Sequence, residues 1–293
     1  PLNAGPELKH QIAVQLGLNK PLYVQYGDYL WGLLHLDMGR SYAAHTPVST
    51  RVFSRLPATV ELAVAASVVA VVISIPLGIV SATRRNQPPD YASTTASLFG
   101  ISTPDFWLGL MLVLVFAVHF GWLPTSGAAR YHGDRVLFPT AVGYLLSGTA
   151  TPLIRWFQHI IMPAVTLGTY FTALITRLTR SGMIDELGQS YVRALRGKGL
   201  PSSRIRYRHV LKNTLIPVIT VVGLQLGTLI GGAVVTEYVF SWHGLGSLVV
   251  SAIHNRAWMT IQGSLIVIGV GFVVVNIAVD ALYAYVNPRV TAE

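Results

Sequence analysis

The sequence predicts an all-α integral membrane protein with five transmembrane helices. Three observations carry that prediction. The 293 residues are 52% hydrophobic and only 11% charged, with mean hydropathy +0.53, whereas soluble domains carry about 25% charged residues. Five apolar runs approach the ~20 residues that a helix needs to cross hydrocarbon. Between two of those runs lies a segment too basic for a bilayer. From Arg177 to Asn213, nine Lys or Arg residues are opposed only by Asp185 and Glu186, and each would cost roughly 2.5–3.5 kcal/mol at the bilayer centre. Its charge assigns this segment to the cytoplasm and so orients every run around it.

The net charge is +9, from 21 Lys and Arg against 12 Asp and Glu. In a soluble protein that excess would raise the question of nucleic acid. Here the basic residues cluster in one inter-span segment, so topology accounts for them and no nucleic-acid partner is expected. The absence of cysteine excludes disulfides, thiolate metal sites and cysteine nucleophiles.

Residues 1–56 are polar and mixed, without a run long enough to span, and are expected to form an extracytoplasmic N-terminal region. The membrane domain is expected over residues 57–293. Its first span is placed at Pro57–Thr83, with Pro57 in the first turn and Arg84-Arg85 closing the cytoplasmic end. Glu61 is then either a functional ionisable group near the external end of a span or a helix-start carboxylate favoured there by the macrodipole. Residues 86–94, with Pro88-Pro89-Asp90, read as a polar turn. The second span is expected from Ser97 to Phe120. Pro104 is expected to kink it by breaking its hydrogen-bond ladder, and Asp105 faces either a water-filled pathway or a neighbouring helix.

Gly121–Gln158 reads as an external region, with Val136–Leu146 interfacial or re-entrant because it is too short to span. The third span is expected at His159–Leu178. The cytoplasmic segment over about 179–213 follows. In it Tyr191, Leu195, Ile205, Val210 and Leu211 alternate with the basic residues at helical spacing, and Gly199-Leu200-Pro201-Ser202 interrupts as a helix stop and a new start would. Two short amphipathic helices with a turn between them are predicted, and their apolar face must dock on something. The fourth span, Leu215–Thr236, carries Gly223, Gly227 and Gly231 at four-residue spacing, which lets helices approach closely in lipid. Gln225 on the same span is a candidate pathway-lining group, with an interhelical hydrogen bond as the alternative, and Glu237 at its end is another candidate. Tyr238, Trp242 and Trp258 suit an interfacial belt. The last span runs from Ile261 to Tyr285 and ends at Asn287-Pro288-Arg289.

The cytoplasmic segment carries a resemblance. The stretch Tyr191-Val192-Arg193-Ala194-Leu195-Arg196-Gly197-Lys198-Gly199-Leu200, with Arg208-His209-Val210-Leu211-Lys212-Asn213-Thr214-Leu215-Ile216-Pro217 after it, resembles the "EAA" loop of bacterial ABC-importer permeases of the dipeptide/oligopeptide/nickel group. Arg193, Ala194 and Leu195 stand where the general pattern has Glu-Ala-Ala, and Gly199 stands at its glycine. Leu56-Pro57-Ala58-Thr59-Val60-Glu61-Leu62, Ile101-Ser102-Thr103-Pro104-Asp105-Phe106-Trp107 and Tyr238-Val239-Phe240-Ser241-Trp242-His243-Gly244 resemble the same family. The resemblance implies a type I ABC-importer permease fold in the bacterial inner membrane, with a sixth helix ahead of Pro1. It implies a second homologous permease, two ATPase domains that hold the ATP and Mg, and an extracytoplasmic binding protein. It also implies that Tyr191, Arg193, Ala194, Leu195, Arg196, Gly199, Leu200, Arg208 and Leu211 couple the chain to the ATPase.

The chain itself carries no G-x-x-x-x-G-K-[ST] phosphate loop, no H-E-x-x-H helix and no G-x-S-x-G turn. It is therefore expected to hold no cofactor, to bind no metal and not to hydrolyse ATP. The expected function is half of an ATP-driven import path for short peptides or a related small solute. The alternative is a secondary transporter or channel acting alone. Such a protein would more often show acidic groups near the midplane, whereas Glu61, Asp105 and Asp280 lie near span ends or entries.

Overall fold

The computed structural model describes residues 19–41 and 46–286, with side chains as far as residue 281. The N-terminal eighteen residues and the Asn287-Pro288-Arg289 terminator lie outside the described residues. In hydrocarbon a backbone must satisfy its own hydrogen bonds, so the apolar runs become helices. A short helix α1 (Leu22–Leu34) and a two-stranded ribbon, β1 (Arg40–Ser41) with β2 (Thr46–Pro47), precede the first long helix, α2 (Val48–Thr83). Helices α3 (Pro88–Ser102) and α4 (Asp105–His119) follow, then the hairpin β3 (Arg130–Tyr131) and β4 (Asp134–Arg135) and the short α5 (Phe138–Leu146). The long α6 (Thr151–Leu187) leads to α7 (Ser190–Gly197), α8 (Ser202–Val239), α9 (Leu245–His254) and α10 (Trp258–Val286).

Helices α2, α6 and α8 form the core. Ala58, Leu62 and Ala66 of α2 meet Ile160, Ala164 and Leu167 of α6 and Leu229, Ile230 and Ala233 of α8, all buried. Small residues set the spacing. A Cβ on Gly168 would come within 2.7 Å of the Ala66 carbonyl oxygen, and one on Gly78 within 2.6 Å of the Thr179 Cβ. Such contacts let helix backbones approach closely where lipid supplies no hydrophobic drive between helices. Helix α10 is the outer layer and lies on α8. Gly223 leaves room for Val279, and Gly227 leaves room for Phe272 and Asn276, while Gly231 has only Ile268 at 4.0 Å. The opposite face of α10, with Val270, Val273, Val274 and Ile277, is exposed.

Four described helices are long and apolar enough to span, and α3 with α4 makes a fifth if counted as one broken span. These two helices meet at 108°, so the expected kink at Pro104 is a corner. Thr103, forced toward extended backbone by the following proline, has φ −86 and ψ 124. Pro104 then stands at the N-cap of α4 and Asp105 in its first turn.

Several expected boundaries move. Helix α2 starts at Val48, so Pro57 is inside the helix and not in its first turn. At about 1.5 Å per residue, its 36 residues outrun a hydrocarbon core of about 30 Å, and the excess rises on the external side. Helix α3 begins at Pro88, so Pro88-Pro89-Asp90 is a first helical turn and not a loop. Helix α6 begins at Thr151 and runs nine residues past Leu178, into the basic segment. The second expected amphipathic helix of that segment is the cytoplasmic end of α8, continuous with the span through a π-helical turn at Ile205–Val210. Val136–Leu146 contains α5, which is too short to span.

Candidate functional site

The cytoplasmic segment is built on the inner ends of α2 and α6. Tyr191, Val192, Leu195, Leu200, Ile205, Val210 and Leu211 pack with Ile79, Ala82 and Met183 into one apolar cluster. The apolar face of the segment is therefore covered by the chain itself. What it turns outward is basic and small: Arg193, Ala194, Arg196, Lys198, Gly199 and Arg208 are exposed. The candidate coupling residues thus divide in two. Tyr191, Leu195, Leu200 and Leu211 hold α7 in place, and the others form its free edge.

The end of α7 is closed by its glycine. Gly199 has φ +76, in the left-handed region that glycine adopts without strain. Its N–H donates to the Arg196 carbonyl at 2.9 Å, and the Leu200 N–H donates to the Leu195 carbonyl at 3.2 Å. This pair of bonds, with Leu200 and Leu195 in the same apolar cluster, is a Schellman stop. Tyr191 ties the two sides of the segment together. Its hydroxyl donates to Glu186 Oε2 at 2.5 Å and accepts from Asn213 Nδ2 at 3.3 Å. Burial, and then the Glu186 carboxylate, push the Tyr191 phenol up to about 12.

Just above this segment sits a buried ion pair. Arg180 of α6 donates from Nε and Nη2 to the two oxygens of Asp90, at 2.6 and 2.9 Å. Asp90 also accepts from the Ser81 hydroxyl at 2.5 Å and the Asn86 N–H at 2.9 Å. One carboxylate thereby joins the cytoplasmic ends of α2, α3 and α6. In the sequence alone, Pro88-Pro89-Asp90 looks like a turn. The available signal was an acid at the third position of a helix with proline at its first, a common helix start.

On the external side a second latch gathers around Glu237, which is fully buried. Its Oε1 accepts from Thr59 Oγ1 at 2.6 Å and its Oε2 from the Ser247 N–H at 3.0 Å, and Thr59 in turn accepts from the Leu245 N–H at 2.8 Å. A Cβ on Gly244 would overlap the Glu237 carboxylate, so glycine lets the loop close over it. Trp242 is not in an interfacial belt. It is 1% exposed and donates from Nε1 to the Ala58 carbonyl at 2.9 Å, whereas Tyr238 and Trp258 are exposed. Arg135 lies over the Trp242 ring, 5.4 Å from its centroid, and burial lowers its pKa.

Glu61 also departs from its expected setting. It lies well inside α2, and its Oε1 accepts from the Phe138 N–H at 2.5 Å and from Trp156 Nε1 at 2.7 Å. It thus fastens the start of α5 between α2 and α6. Asp105 is half-buried in the first turn of α4. Gln225 accepts from Thr228 Oγ1 at 2.8 Å on its own helix. The three candidate pathway groups are not brought together: Glu237 is buried in its own hydrogen bonds, and Asp105 and Gln225 have separate surroundings. No group of three or more metal-ligating side chains occurs among the described residues.

The family model for binding-protein-dependent transport system inner membrane components matches residues 74–292. The chain belongs to this family. It is 39% identical over 293 residues to the dipeptide transport system permease protein DppB of Escherichia coli (strain K12), covering 97% of this chain and 86% of that protein. It is 37% identical to the glutathione transport system permease protein GsiC of Escherichia coli O6:H1, covering 99% and 87%. It is 38% identical to the oligopeptide transport system permease protein AppB of Bacillus subtilis (strain 168), covering 96% and 84%. Among solved structures it matches an inward-facing MetNI methionine ABC transporter chain with TM-score 0.59 at 15% identity, over 80% of this chain and 96% of that one. That likeness shows the fold. The protein is a multi-pass inner-membrane permease subunit of an ABC importer, and the reading as a transporter acting alone falls away.

Proposed function

We propose that this permease forms half of an import path for short peptides. The names of its relatives support that substrate class, since they include permeases for dipeptides, oligopeptides and glutathione. The other half is a second, homologous permease. Two ATPase domains hold the ATP and Mg, this chain holds no cofactor, and an extracytoplasmic binding protein delivers the cargo.

The observation that carries the coupling role is the division of the cytoplasmic segment into an anchored face and a free basic edge. Leu195, Leu200 and Leu211 lock α7 to the inner ends of α2 and α6, while Arg193, Ala194, Arg196, Gly199 and Arg208 stay exposed for a partner. Movement of an ATPase groove around that edge would pass directly into two spans. Asp105 and Gln225, partly exposed on different helices, are the groups on this chain that would meet cargo in transit.

The test is a mild-detergent purification of the tagged chain from its own membrane, with bound proteins identified by mass, followed by Gly199→Trp. The expected result is co-purification of an ATPase and a second permease. The variant should remain in the membrane while peptide uptake and substrate-stimulated ATP hydrolysis fall. Unchanged uptake with Gly199→Trp would remove the coupling role.

A further inference from the structure

A cavity of about 550 Å³ opens on the external side between the first turns of α2 and helix α9. Arg51 and Arg55 of α2 form one wall, and Ser247 and Ser251 of α9 form another. Four residues apart, the two arginines share one helix face, where like charges repel. Little among the described residues relieves them. Arg51 donates from Nη1 to Ser41 Oγ at 3.1 Å. The Arg55 guanidinium has no hydrogen-bond or ion-pair partner among the described residues, and no carboxylate oxygen of those residues lies within 4.0 Å of either arginine. Glu237 lies at the back of the cavity, but its oxygens are already taken by Thr59 and Ser247. Two positive charges face one negative charge, and Arg135 adds a third positive charge nearby.

Guanidinium groups in a concave, partly dry setting are matched by carboxylate or phosphate, whose oxygens accept their parallel N–H donors. The Ser251 hydroxyl on the facing wall supplies a further donor, whereas that of Ser247 already donates to the Gly244 carbonyl at 2.9 Å. We propose that this cavity is an oxyanion site in which Arg51 and Arg55 grip one carboxylate or phosphate group. Two sources present that chemistry at the external face: the free carboxylate of a peptide and the phosphate of an outer-leaflet phospholipid. The peptide source rests on the proposed function; the anion site does not.

The experiment uses the purified assembly that contains this chain, without binding protein, in phosphatidylcholine nanodiscs. Its thermal midpoint is measured with added dialanine, with dialaninamide, and with part of the lipid replaced by phosphatidylglycerol. A rise with dialanine but not with the amide identifies a carboxylate site. A rise with phosphatidylglycerol alone identifies a phosphate site. In either case Arg55→Gln should weaken the response about tenfold, as loss of one charge-assisted contact does, and Arg51→Gln with Arg55→Gln should abolish it. Arg55→Gln breaks no bond in the structure, so its midpoint without ligand should match the wild type and separate binding from folding. No rise with either anion, or a rise that survives in the double variant, overturns the site. Dialanine uptake by a wild-type assembly that shows no anion response would leave the peptide reading standing while this inference fails.

Discussion

Removing the carboxylate that joins α2, α3 and α6 should destabilise the cytoplasmic half of the protein by a measurable and separable amount. Asp90 has a side chain 4% exposed and accepts from Arg180, Ser81 and Asn86. Stranding one member of a buried ion pair costs about 3–5 kcal/mol. Arg180 keeps 29% of its side-chain exposure, so water recovers part of that, and Asp90→Ala should cost about 2–3 kcal/mol. Asp90→Asn keeps an acceptor for Ser81 or Asn86 and should cost less. Arg180→Ala leaves an unpaired buried carboxylate and should cost about as much as Asp90→Ala. The double variant should be more stable than the sum of the singles predicts, by about 1–2 kcal/mol, because the interaction is lost only once. The measurement is reversible unfolding in mixed dodecylmaltoside and dodecylsulfate micelles, followed by far-UV circular dichroism. Single variants within about 0.5 kcal/mol of wild type, or strictly additive ones, would refute the reasoning, since separate sites add to that precision.

Other outcomes follow from the same geometry. Gly223→Leu should cost about 1–3 kcal/mol as an overpacked helix contact, because its Cβ would overlap Val279, whereas Gly231→Leu, with only Ile268 at 4.0 Å, should cost clearly less; the same micelle unfolding decides it. Thr59→Val should cost about 1–3 kcal/mol, since it strips the buried Glu237 carboxylate and the Leu245 N–H of a shared partner, while Thr59→Ser should retain most of the stability. Tyr191 supplies a pH signature. Its phenol is pushed up from 10.0 to about 12, so its contribution is fully present below pH 10.0. Between these values the unfolded phenol ionises while the folded one does not, and the contribution is lost as pH rises toward 12. Tyr191→Phe should flatten that alkaline fall in unfolding free energy, and an unchanged slope would count against the assignment.

The centres of the spans were legible because composition and length alone specify a membrane helix. Their ends were harder to read. Pro57, Pro163 and Pro217 all sit inside long helices, and of these Pro57 reads in the sequence as a helix start. A proline removes one donor, and neighbouring helices can support the ladder around it. The amphipathic rhythm of Tyr191, Leu195, Ile205 and Val210 located the cytoplasmic segment and the apolar face by which it is anchored. It could not say that the covering surface belongs to the same chain, because Ile79, Ala82 and Met183 come from two distant spans. Asp90 with Arg180, Glu61 with Trp156 and Glu237 with Thr59 were invisible for the same reason. Each joins residues 90, 95 and 178 positions apart, and neither periodicity nor local propensity reports on such distances.

Helix α6 carries a mechanical consequence. Near its external end Trp156 holds Glu61, and near its cytoplasmic end Arg180 holds Asp90 and Met183 enters the cluster under α7. Its 37 residues make a rod of about 55 Å at the helical rise. A tilt of about 5° around its midpoint would swing each end through about 2 Å in opposite directions, by the same rise. One rigid lever would then turn a push on the basic edge into an opposite stroke beneath α5, with no signal passed through the bilayer residue by residue.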